Sequence, residues 1–488
     1  MPIYTPDWVK HAVFYQIFPD RFAKGGHPSQ IMDASTQLEA WEAAPTLQGY
    51  KGGNLWGVIE QLDYIQDLGF NAIYFTPVFQ STCNHRYHTQ DYYQIDPLLG
   101  GNEALYRLLE AAHWRGIKVV LDGVFNHVGR GFFFFNDILE NGPHSPWIDW
   151  FKIEGWPLSA YDGDRPANYT GWYGNRALPE FNHANPAVRE YIMRVAEHWL
   201  RVGIDGWRLD VPFCINEPGF WQEFRDRVKG INPNAYIVGE IWRDARKWLD
   251  GTQFDAVMNY PFTGATIAFT GGAHLNPEHI ADRDYDAYPA IDAATYADRI
   301  QLLLHAYPWD IQLAQMNLLA SHDTARLLTI ANGDVETVKL ATLMMMTFPG
   351  APSIYYGDEV GLEGALDPDS RRSFPAREHW HPEIMACHRR LIALRHSRLS
   401  LRIGEYRLLG AEDHLYVFAR IWEGDVLIVA INAGETLGKI DLDAIGTRLH
   451  AQPSRVLYST GEYDTSQVVW TADNLFLGIP ARTGIVLG

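Results

Sequence analysis

The stretch LWGVIEQLDYIQDLGFNAIYFTP, residues 55–77, contains the unit from which the fold can be predicted. Four apolar residues recur at helical spacing, namely Val58, Leu62, Ile65 and Leu68. Gly69 follows them as a stop signal, so residues 55–68 are predicted to form an amphipathic helix. The run AIYFTP from residue 72 is typical of a buried strand. A helix that leads directly into a buried strand is the repeating part of a parallel α/β fold.

The same alternation of strand and helix continues through most of the chain. Eight candidate strands are VFYQIFP (13–19), AIYFTP (72–77), IKVVLDGV (117–124), GIDGWRLDV (203–211), AYIVGE (235–240), FDAVMNY (254–260), QMNLLASHD (315–323) and APSIYYGDE (351–359). Eight strands with helices between them predict a (β/α)8 TIM barrel of the α/β class. In that fold the functional side chains gather at the carboxyl ends of the strands.

Two segments depart from this alternation. Residues 128–185 lie between the third strand and its helix and are rich in aromatic, Asn, Gly and Pro residues, which indicates an inserted domain. After residue 398 the pattern changes to alternating strands with Gly, Asp and Asn turns. The predicted domains are therefore a catalytic barrel (1–127 and 186–398), the inserted domain (128–185) and a C-terminal β-sandwich (399–488).

Composition excludes several classes of function. The chain has 488 residues and a net charge of -19, which repels nucleic acids and anionic membranes. The most apolar stretch, residues 340–356, is interrupted by two prolines and a glycine and is too short to span a membrane. The N-terminus has no signal-peptide pattern, and three scattered cysteines do not form a disulfide framework. We therefore expect a soluble, cytoplasmic protein.

The predicted strand ends carry a group of acidic, basic and amide side chains. These are Asp122, Asn126 and His127 after strand three, Arg208 and Asp210 in strand four, Glu240 after strand five, and His322 and Asp323 after strand seven. Any one of the acids could be a helix cap or a solvated loop residue. Together, the four carboxylates at one rim indicate acid-base chemistry.

Glycoside hydrolysis with retention uses two such carboxyl groups, one as nucleophile and one as acid and base. Ile241 and Trp242 can desolvate Glu240 and keep its proton available near neutral pH, so Glu240 is the predicted acid. Arg208 and Asp210 are two residues apart in a strand and share a face. The guanidinium can keep Asp210 ionised, so Asp210 is the predicted nucleophile.

Five motifs carry a resemblance to a known family. LDGVFNH, GIDGWRLDV, VGEIW and LLASHDT resemble the four sequence regions of the α-amylase family, glycoside hydrolase family 13, and LPEFNHANP (178–186) resembles its fifth region. FPDRFA, NHRYHTQDYY and YYGDEVGLEGALDPDSRR are similar to the neopullulanase, cyclomaltodextrinase and maltogenic amylase subgroup. The resemblance extends over the whole chain and implies cleavage of α-1,4 and, in several members, α-1,6 glucosidic bonds.

The resemblance also implies residue roles. Asp210 forms the glycosyl intermediate, Glu240 is the acid and base, and Asp323 holds sugar hydroxyls. His85, Tyr87, His127 and His322 contact the glucose at the cleavage point, Arg208 steadies Asp210, Trp242 offers a stacking platform, and Asp91 supports the loop of His85.

Two departures from the subgroup bear on specificity. The subgroup commonly has Asn and Glu three and four residues after the nucleophile, where this chain has Phe213 and Cys214. Many members also carry an N-terminal β domain that roofs the active site, whereas the first predicted strand begins at residue 13. The apolar pair should weaken hydrogen bonds to an incoming sugar hydroxyl or water and offer a face for stacking, which leaves acceptor preference open. The missing roof favours a more open cleft and a debranching enzyme. The Phe run 132–135 either lines a glucan subsite or packs the inserted domain on the barrel. Arg371 and Arg372 either contact distal sugars or are solvated.

We expect no cofactor and no essential metal. Asn126 occupies the position of a calcium ligand in many α-amylases, but KGGHPSQIMD (24–33) replaces the expected calcium loop. His85 and His88 are three residues apart, yet their segment does not resemble a helix and no third ligand motif accompanies them. Calcium is therefore allowed without being required.

The predicted function is a retaining α-glucan hydrolase that debranches α-1,6 points and cleaves α-1,4 bonds of maltooligosaccharides, starch or glycogen. Alternatives are a cyclomaltodextrinase or neopullulanase acting mainly on α-1,4 bonds, a 4-α-glucanotransferase, and a non-catalytic glucan-binding protein. The last has no need of three acids. The resemblance alone also allows a homodimer.

Overall fold

A computed structural model of the protein describes residues 3–26 and 37–488. The strands before residue 400 are β1 (Phe14–Ile17), β2 (Ala72–Phe75), β3 (Phe79–Ser81), β4 (Thr89–Ile95), β5 (Lys118–Gly123), β6 (Gly206–Leu209), β7 (Tyr236–Gly239), β8 (Ala256–Val257), β9 (Met316–Leu318) and β10 (Ala351–Tyr355).

The helices alternate with these strands. They are α1 (Asp7–Lys10), α2 (Pro19–Phe22), α3 (Leu55–Glu60), α4 (Leu62–Leu68), α5 (Gly101–Trp114), α6 (Phe133–Asn141), α7 (Pro186–Val202), α8 (Phe220–Ile231), α9 (Tyr260–Gly271), α10 (Pro277–Ile280), α11 (Ala293–Ala306), α12 (Trp309–Gln312), α13 (Leu327–Ile330), α14 (Val335–Thr347), α15 (Pro382–Ser397), α16 (Leu399–Ile403) and α17 (Ile445–Leu449).

Eight parallel strands form the barrel. Their order is β8, β7, β6, β5, β2, β1, β10 and β9, and a parallel bridge between Met258 and Met316 joins the end of β8 to β9. The side chains of β1, β2, β6, β7 and β10 are buried throughout, as expected for strands that have helices outside and a packed interior inside. The predicted (β/α)8 barrel is confirmed.

The predicted helix over residues 55–68 is two helices. Asn54 caps the first one by accepting a hydrogen bond from the amide of Gly57 at 2.8 Å, and α3 ends at Gln61, whose φ and ψ of -98° and 2° leave the helical region. Gly69 ends α4 with φ of +95°, a conformation that glycine adopts without steric cost. The apolar spacing predicted the buried face and the end of this segment, but not its break.

The inserted segment packs mainly on itself. Phe132 and Phe135 are buried, and Phe134 stacks on Trp147 with ring centroids 3.7 Å apart, whereas Phe133 is exposed. A bridge between His127 and Glu180 fastens the segment to the barrel. Of the two readings of the four-Phe run, the structure supports packing.

The C-terminal part contains two antiparallel sheets. Its strands are β11 (Glu405–Glu412), β12 (Leu415–Trp422), β13 (Asp425–Asn432), β14 (Gly438–Leu442), β15 (Val456–Ser459), β16 (Val468–Thr471), β17 (Asn474–Ile479) and β18 (Thr483–Leu487). The sheets have the orders β11-β12-β13-β18-β15 and β14-β17-β16.

Alternation along β12 explains how these sheets are placed. Leu415, Val417 and Ala419 belong to a core shared with the smaller sheet, whereas Tyr416 and Phe418 belong to the core of the barrel. Because successive side chains of a strand point to opposite faces, one strand serves both cores. In the part of the chain that the structure describes, no helix is long and apolar enough to cross a membrane.

Candidate active site

The carboxyl ends of β5, β6 and β7 bring the predicted acids together. Asp122 lies on β5 opposite Arg208 on β6, while Asp210 and Glu240 are the residues that directly follow β6 and β7. Asp323 is the fifth residue after the end of β9. The strands end before the predicted ones do, although the amides of Asp210 and Glu240 still donate to the carbonyls of Gly123 and Leu209 on the neighbouring strands.

Arg208 is the centre of this group and is completely buried. Its Nη1 lies 2.9 Å from Asp122 Oδ2 and 3.1 Å from Asp210 Oδ1, and its Nη2 lies 2.9 Å from Glu240 Oε2. A buried cation is stabilised by such charge-assisted contacts. One guanidinium therefore fixes the relative positions of three carboxyl groups.

Glu240 accepts two further hydrogen bonds. The indole N–H of Trp242 donates to its Oε1 at 2.9 Å, and the amide of Val211 donates to its Oε2 at 3.2 Å. Burial raises the pKa of Glu240 above its usual value, while Arg208 and these donors oppose the rise. The expected desolvation is thus present, but Trp242 acts as a hydrogen-bond donor to the ionised form.

Val211 has a strained backbone. Its φ of 37° and ψ of 48° lie in the left-handed region, which costs a β-branched residue about 1 to 3 kcal/mol. This conformation turns the chain directly after Asp210 and aims the amide of Val211 at Glu240. The strained residue therefore lies between Asp210 and Glu240, following the first in sequence and donating a hydrogen bond to the second.

Burial also raises the pKa of Asp210 well above its usual range; Arg208 opposes this and Glu240 adds to it. The pKa of Asp122 is raised to about 6, again by burial against the pull of Arg208. The sequence predicts that Arg208 keeps Asp210 ionised. The contact exists and lowers the pKa of Asp210, but the single guanidinium is shared among three carboxyl groups.

His322 lies in a buried hydrogen-bonded chain. Its Nδ1 is 2.9 Å from Gln16 Nε2, and its Nε2 contacts the hydroxyl of Tyr87. Tyr87 donates to Asp122 Oδ2 at 3.1 Å. Burial lowers the pKa of His322 well below its usual value, so the ring is neutral.

His127 and His85 border the same space. The His127 ring stacks on Trp172 at 5.2 Å, and burial lowers its pKa to about 3. His127 Nε2 is buried without a hydrogen-bond partner among the described residues, which leaves it available to a ligand. His85 accepts a hydrogen bond from the amide of Tyr87 at 3.2 Å.

Two cavities meet at the acids. The smaller, about 370 Å³, is lined by His85, Tyr87, His88, His127, Trp172, Asn175, Leu178, Asp210, Val211, Glu240, Asp323, Asp367 and Arg371. The larger, about 660 Å³, shares Trp172, Val211, Glu240 and Asp323 with it and adds Phe213, Trp242, Trp248 and Tyr285 among others. Glu240 and Asp323 thus stand between two spaces of the size that binding sites for small molecules occupy.

The family models match almost the whole described chain. Residues 16–381 match the model of the alpha amylase catalytic domain, and residues 404–487 match the model of the alpha-amylase C-terminal domain. The chain belongs to the α-amylase family.

Several members of the family are similar to this chain over most of their length. The crystal structure of a debranching enzyme from Nostoc punctiforme is 62% identical, with 100% of both chains covered and a TM-score of 0.92. A cyclomaltodextrinase of Bacillus sp. is 44% identical over 88% of this chain and 75% of its own length. Neopullulanase 2 of Thermoactinomyces vulgaris is 40% identical over 96% of this chain and 78% of its own. These relatives confirm the predicted subgroup.

Within this α-amylase fold, other predicted residues have clear positions. Arg371 lies 3.5 Å from Asp323 and 3.1 Å from Asp367 and lines the smaller cavity, whereas Arg372 pairs with Asp369 at 2.8 Å. Arg371 therefore lines the cavity and is not a solvated loop residue.

Of the pair Phe213 and Cys214 that departs from the subgroup, one residue lines a cavity and the other does not. Phe213 lines the larger cavity, and Cys214 is not among its lining residues. The departure from the subgroup at residue 213 therefore changes the cavity wall itself.

The residues considered as metal ligands in the sequence have the following positions. The amide of Asn126 lies 3.4 Å from both His127 Nδ1 and Glu180 Oε1. The segment 24–33 lies mostly outside the described residues. Among the residues that are described, one group has the donors for a metal ion, namely Cys83, His85 and His88.

Sequence reasoning missed four residues of this site. They are Gln16, Tyr74, Val211 and Trp172; Tyr74 donates to Asp122 Oδ2 at 2.9 Å. Tyr74 and Gln16 sit in predicted barrel strands, so their place on the inner face was the available signal. Trp172 is far away in the inserted segment, where no periodicity marks it.

Proposed function

We propose that this protein is a retaining α-glucan hydrolase that releases side chains at α-1,6 branch points and also cleaves α-1,4 bonds. The observation that carries the mechanism is the shared guanidinium: Arg208 contacts both Asp210 and Glu240, at the point where two cavities meet. Such a pair can act by double displacement.

In the first step, Asp210 attacks the anomeric carbon of a glucose in the smaller cavity. Glu240 gives its proton to the glycosidic oxygen, so the leaving sugar departs as a neutral alcohol. Burial favours the protonated form of Glu240 before the reaction, as its raised pKa indicates. Arg208 then stabilises the negative charge that Glu240 acquires.

In the second step, Glu240 removes a proton from water, and the resulting hydroxide displaces Asp210 from the sugar. His322, His127 and Asp323 border the glucose during both steps. The two histidines are neutral, so they can donate or accept hydrogen bonds without adding positive charge beside Arg208. No metal or cofactor has a part in this sequence of steps.

Support for α-1,6 cleavage comes from the larger cavity and from the relatives. Phe213, Trp242, Trp248 and Tyr285 give that cavity aromatic walls, on which the apolar faces of sugars can stack. When a branch point is cleaved, the main glucan chain is the leaving group. This chain needs a wide surface on which its sugars can stack. The relative with 62% identity over the full chain is called a debranching enzyme.

A second candidate is a cyclomaltodextrinase acting mainly on α-1,4 bonds, because a relative of that name is 44% identical. A glucanotransferase, in which a sugar hydroxyl replaces water, uses the same three acids. We also propose a cytoplasmic location, since Cys83, Cys214 and Cys387 are all unpaired. The homodimer stays a prediction.

The mechanism is tested with Asp210→Asn and Glu240→Gln. Each change removes the nucleophile or the transferable proton, so kcat on a maltooligosaccharide should fall at least about 10³-fold. Circular dichroism should show an unchanged fold, and proton NMR of the wild-type reaction should show the α-anomer first. Undiminished activity in either variant, or first release of the β-anomer, contradicts the assignment.

A further inference from the structure

A hairpin beside the smaller cavity brings three metal-binding side chains together. β3 and β4 pair antiparallel, with Ser81 opposite Thr89, so the chain between them forms a closed loop. Within this loop, one donor atom each of Cys83, His85 and His88 lies within 4.8 Å of the other two. All three side chains are half-buried.

We propose that Cys83, His85 and His88 bind one thiophilic divalent cation of the Zn²⁺ type, and that this cation blocks the glucan cavity. One thiolate and two imidazoles form a donor set that Zn²⁺ prefers, with a fourth position left for water. The sequence shows two histidines three residues apart. Cys83, two residues before His85, supplies the third ligand.

The distances suit this ion. Zn–S and Zn–N bonds of about 2.3 and 2.0 Å in a tetrahedral site place sulfur and nitrogen roughly 3.5 Å apart. Cys83 Sγ lies 3.4 Å from His85 Nδ1, and a bound ion would replace the hydrogen bond that this nitrogen accepts from the amide of Tyr87. The His85 and His88 rings meet edge to face with centroids 5.2 Å apart, so small side-chain rotations bring the second imidazole onto the same ion.

The charges around the loop also admit a cation. The smaller cavity contains the carboxyl groups of Asp210, Glu240, Asp323 and Asp367. Its cation, Arg371, is already paired with Asp323 and Asp367. Behind the loop, Arg86 is paired with Asp96 at 3.2 Å. These two guanidinium groups are therefore paired with carboxylates.

Binding proceeds by exchange of a proton for the metal. The S–H bond of Cys83 breaks as the sulfur–metal bond forms, and the proton leaves to water. His85 and His88 both line the cavity. A metal held between them occupies the wall against which glucose must lie, so the ion competes with substrate. The site is inhibitory and leaves the metal-free reaction intact.

The test uses the full-length, chelator-treated protein under reducing conditions and two cysteine variants. Cys83→Ala removes the proposed ligand, and Cys214→Ala is the matched control because Cys214 is also half-buried near the cleft. Zn²⁺ binding is measured by titration calorimetry, and Co²⁺ binding by its thiolate charge-transfer absorption. Inhibition by Zn²⁺ is measured relative to each variant's own metal-free rate.

The proposal predicts one Zn²⁺ per chain and a Co²⁺–thiolate band in the wild type and in Cys214→Ala. In Cys83→Ala the band should vanish and the affinity and inhibition should weaken by at least about tenfold. Equal binding and inhibition in all three proteins would place the ion on the carboxylates and overturn the proposal, as would absence of the band in the wild type. Both binding readouts are independent of which glucosidic bond the enzyme cleaves.

Discussion

Ring stacking on Tyr260 and a hydrogen bond to Glu240 hold the indole of Trp242 in place. Its ring stacks on Tyr260 at a centroid distance of 3.8 Å and an angle of 9°. With the ring held flat in this way, the indole N–H lies 2.9 Å from Glu240 Oε1. A hydrogen bond to a carboxylate stabilises its ionised form. Trp242 therefore limits how far burial can raise the pKa of Glu240.

Trp242→Phe keeps an aromatic ring for stacking and removes the donor. The pKa of Glu240 should rise, because its ionised form loses a partner. The alkaline limb of the kcat/KM profile, where Glu240 loses its proton, should then move upward by up to about one pH unit. The measurement is the pH dependence of kcat/KM on a maltooligosaccharide.

Trp248→Phe is the matched control, since Trp248 lines the same cavity but is not a hydrogen-bond donor to Glu240, whose donors are Trp242 and Val211. Its alkaline limb should coincide with that of the wild type. If Trp242→Phe left the limb in place or moved it to lower pH, the hydrogen bond would not tune the acid.

At this scale the sequence predicted which residues meet but not how they contact one another. The spacing of Arg208 and Asp210 in a strand predicted their common face, and the ends of parallel strands predicted that Glu240 would lie nearby. The rotamer of Trp242 depends on Tyr260, a packing partner from another element. The strain at Val211 is also invisible in sequence, because valine rarely adopts positive φ.

Among the elements, Glu359 connects three parts of the barrel. Its Oε1 accepts hydrogen bonds of 2.7 Å from Tyr15 on β1 and from Tyr64 on α4, and its Oε2 accepts one of 2.8 Å from the amide of Gly357 after β10. The side chain is completely buried. Burial outweighs these donors and raises the pKa of Glu359 to about 7.

This raised pKa predicts a pH dependence of stability. Because the folded chain binds the proton more tightly than the unfolded chain, the contribution is complete at low pH and is lost as pH rises through 7. A rise from the usual 4.5 to about 7 corresponds to about 3 kcal/mol. Glu359→Gln cannot titrate and should lack this dependence.

The measurement is urea unfolding of both proteins at about pH 5 and about pH 8. The free energy of unfolding of the wild type, relative to Glu359→Gln, should fall between the two pH values. Glu363→Gln, at an exposed residue, should follow the wild type at both. If the wild type instead became more stable relative to Glu359→Gln as the pH rose, Glu359 would be ionised in the folded protein.

The elements were predicted well in number and order, less well in extent. Parallel strands and their helices have strong apolar periodicity, so all eight barrel strands were found. The predicted strand 254–260 is reduced to β8 (Ala256–Val257) and the predicted strand 315–323 to β9 (Met316–Leu318). Apolar residues continue past the end of β9 at Leu319 and Ala320, and hydropathy does not register where strand pairing ends.

In the whole molecule, the barrel and the C-terminal sheets share a core. Tyr416 on β12 is buried, with its ring 4.8 Å from Tyr296 on α11 and 6.1 Å from Phe269 on α9. Its neighbour Val417 is equally buried but packs into the core between the two C-terminal sheets. The two side chains therefore report on different interfaces.

Tyr416→Ala should lower the free energy of unfolding by about 3 to 5 kcal/mol, since a large aromatic side chain leaves a cavity between barrel and sheet. The temperature at which activity is lost should fall with it, because the barrel loses packing. Val417→Ala removes fewer atoms from the other face and should reduce that temperature less. Equal inactivation temperatures for wild type and Tyr416→Ala would mean that the barrel is stable without this interface.

The most direct test of the proposed function is a side-by-side product analysis on three substrates. These are a linear maltooligosaccharide, a cyclodextrin, and a branched oligosaccharide with a long side chain. Phe213→Asn serves as a variant in which the wall of the larger cavity regains the polar residue of the subgroup. For each combination of protein and substrate, kcat/KM and the first products are measured.

If the protein is a debranching enzyme, the branched substrate releases its intact linear arm faster than the other two substrates react, and Phe213→Asn reduces this preference. If the cyclodextrin or the linear chain reacts far faster and yields maltose or glucose, the debranching proposal is wrong and the protein acts as a cyclomaltodextrinase.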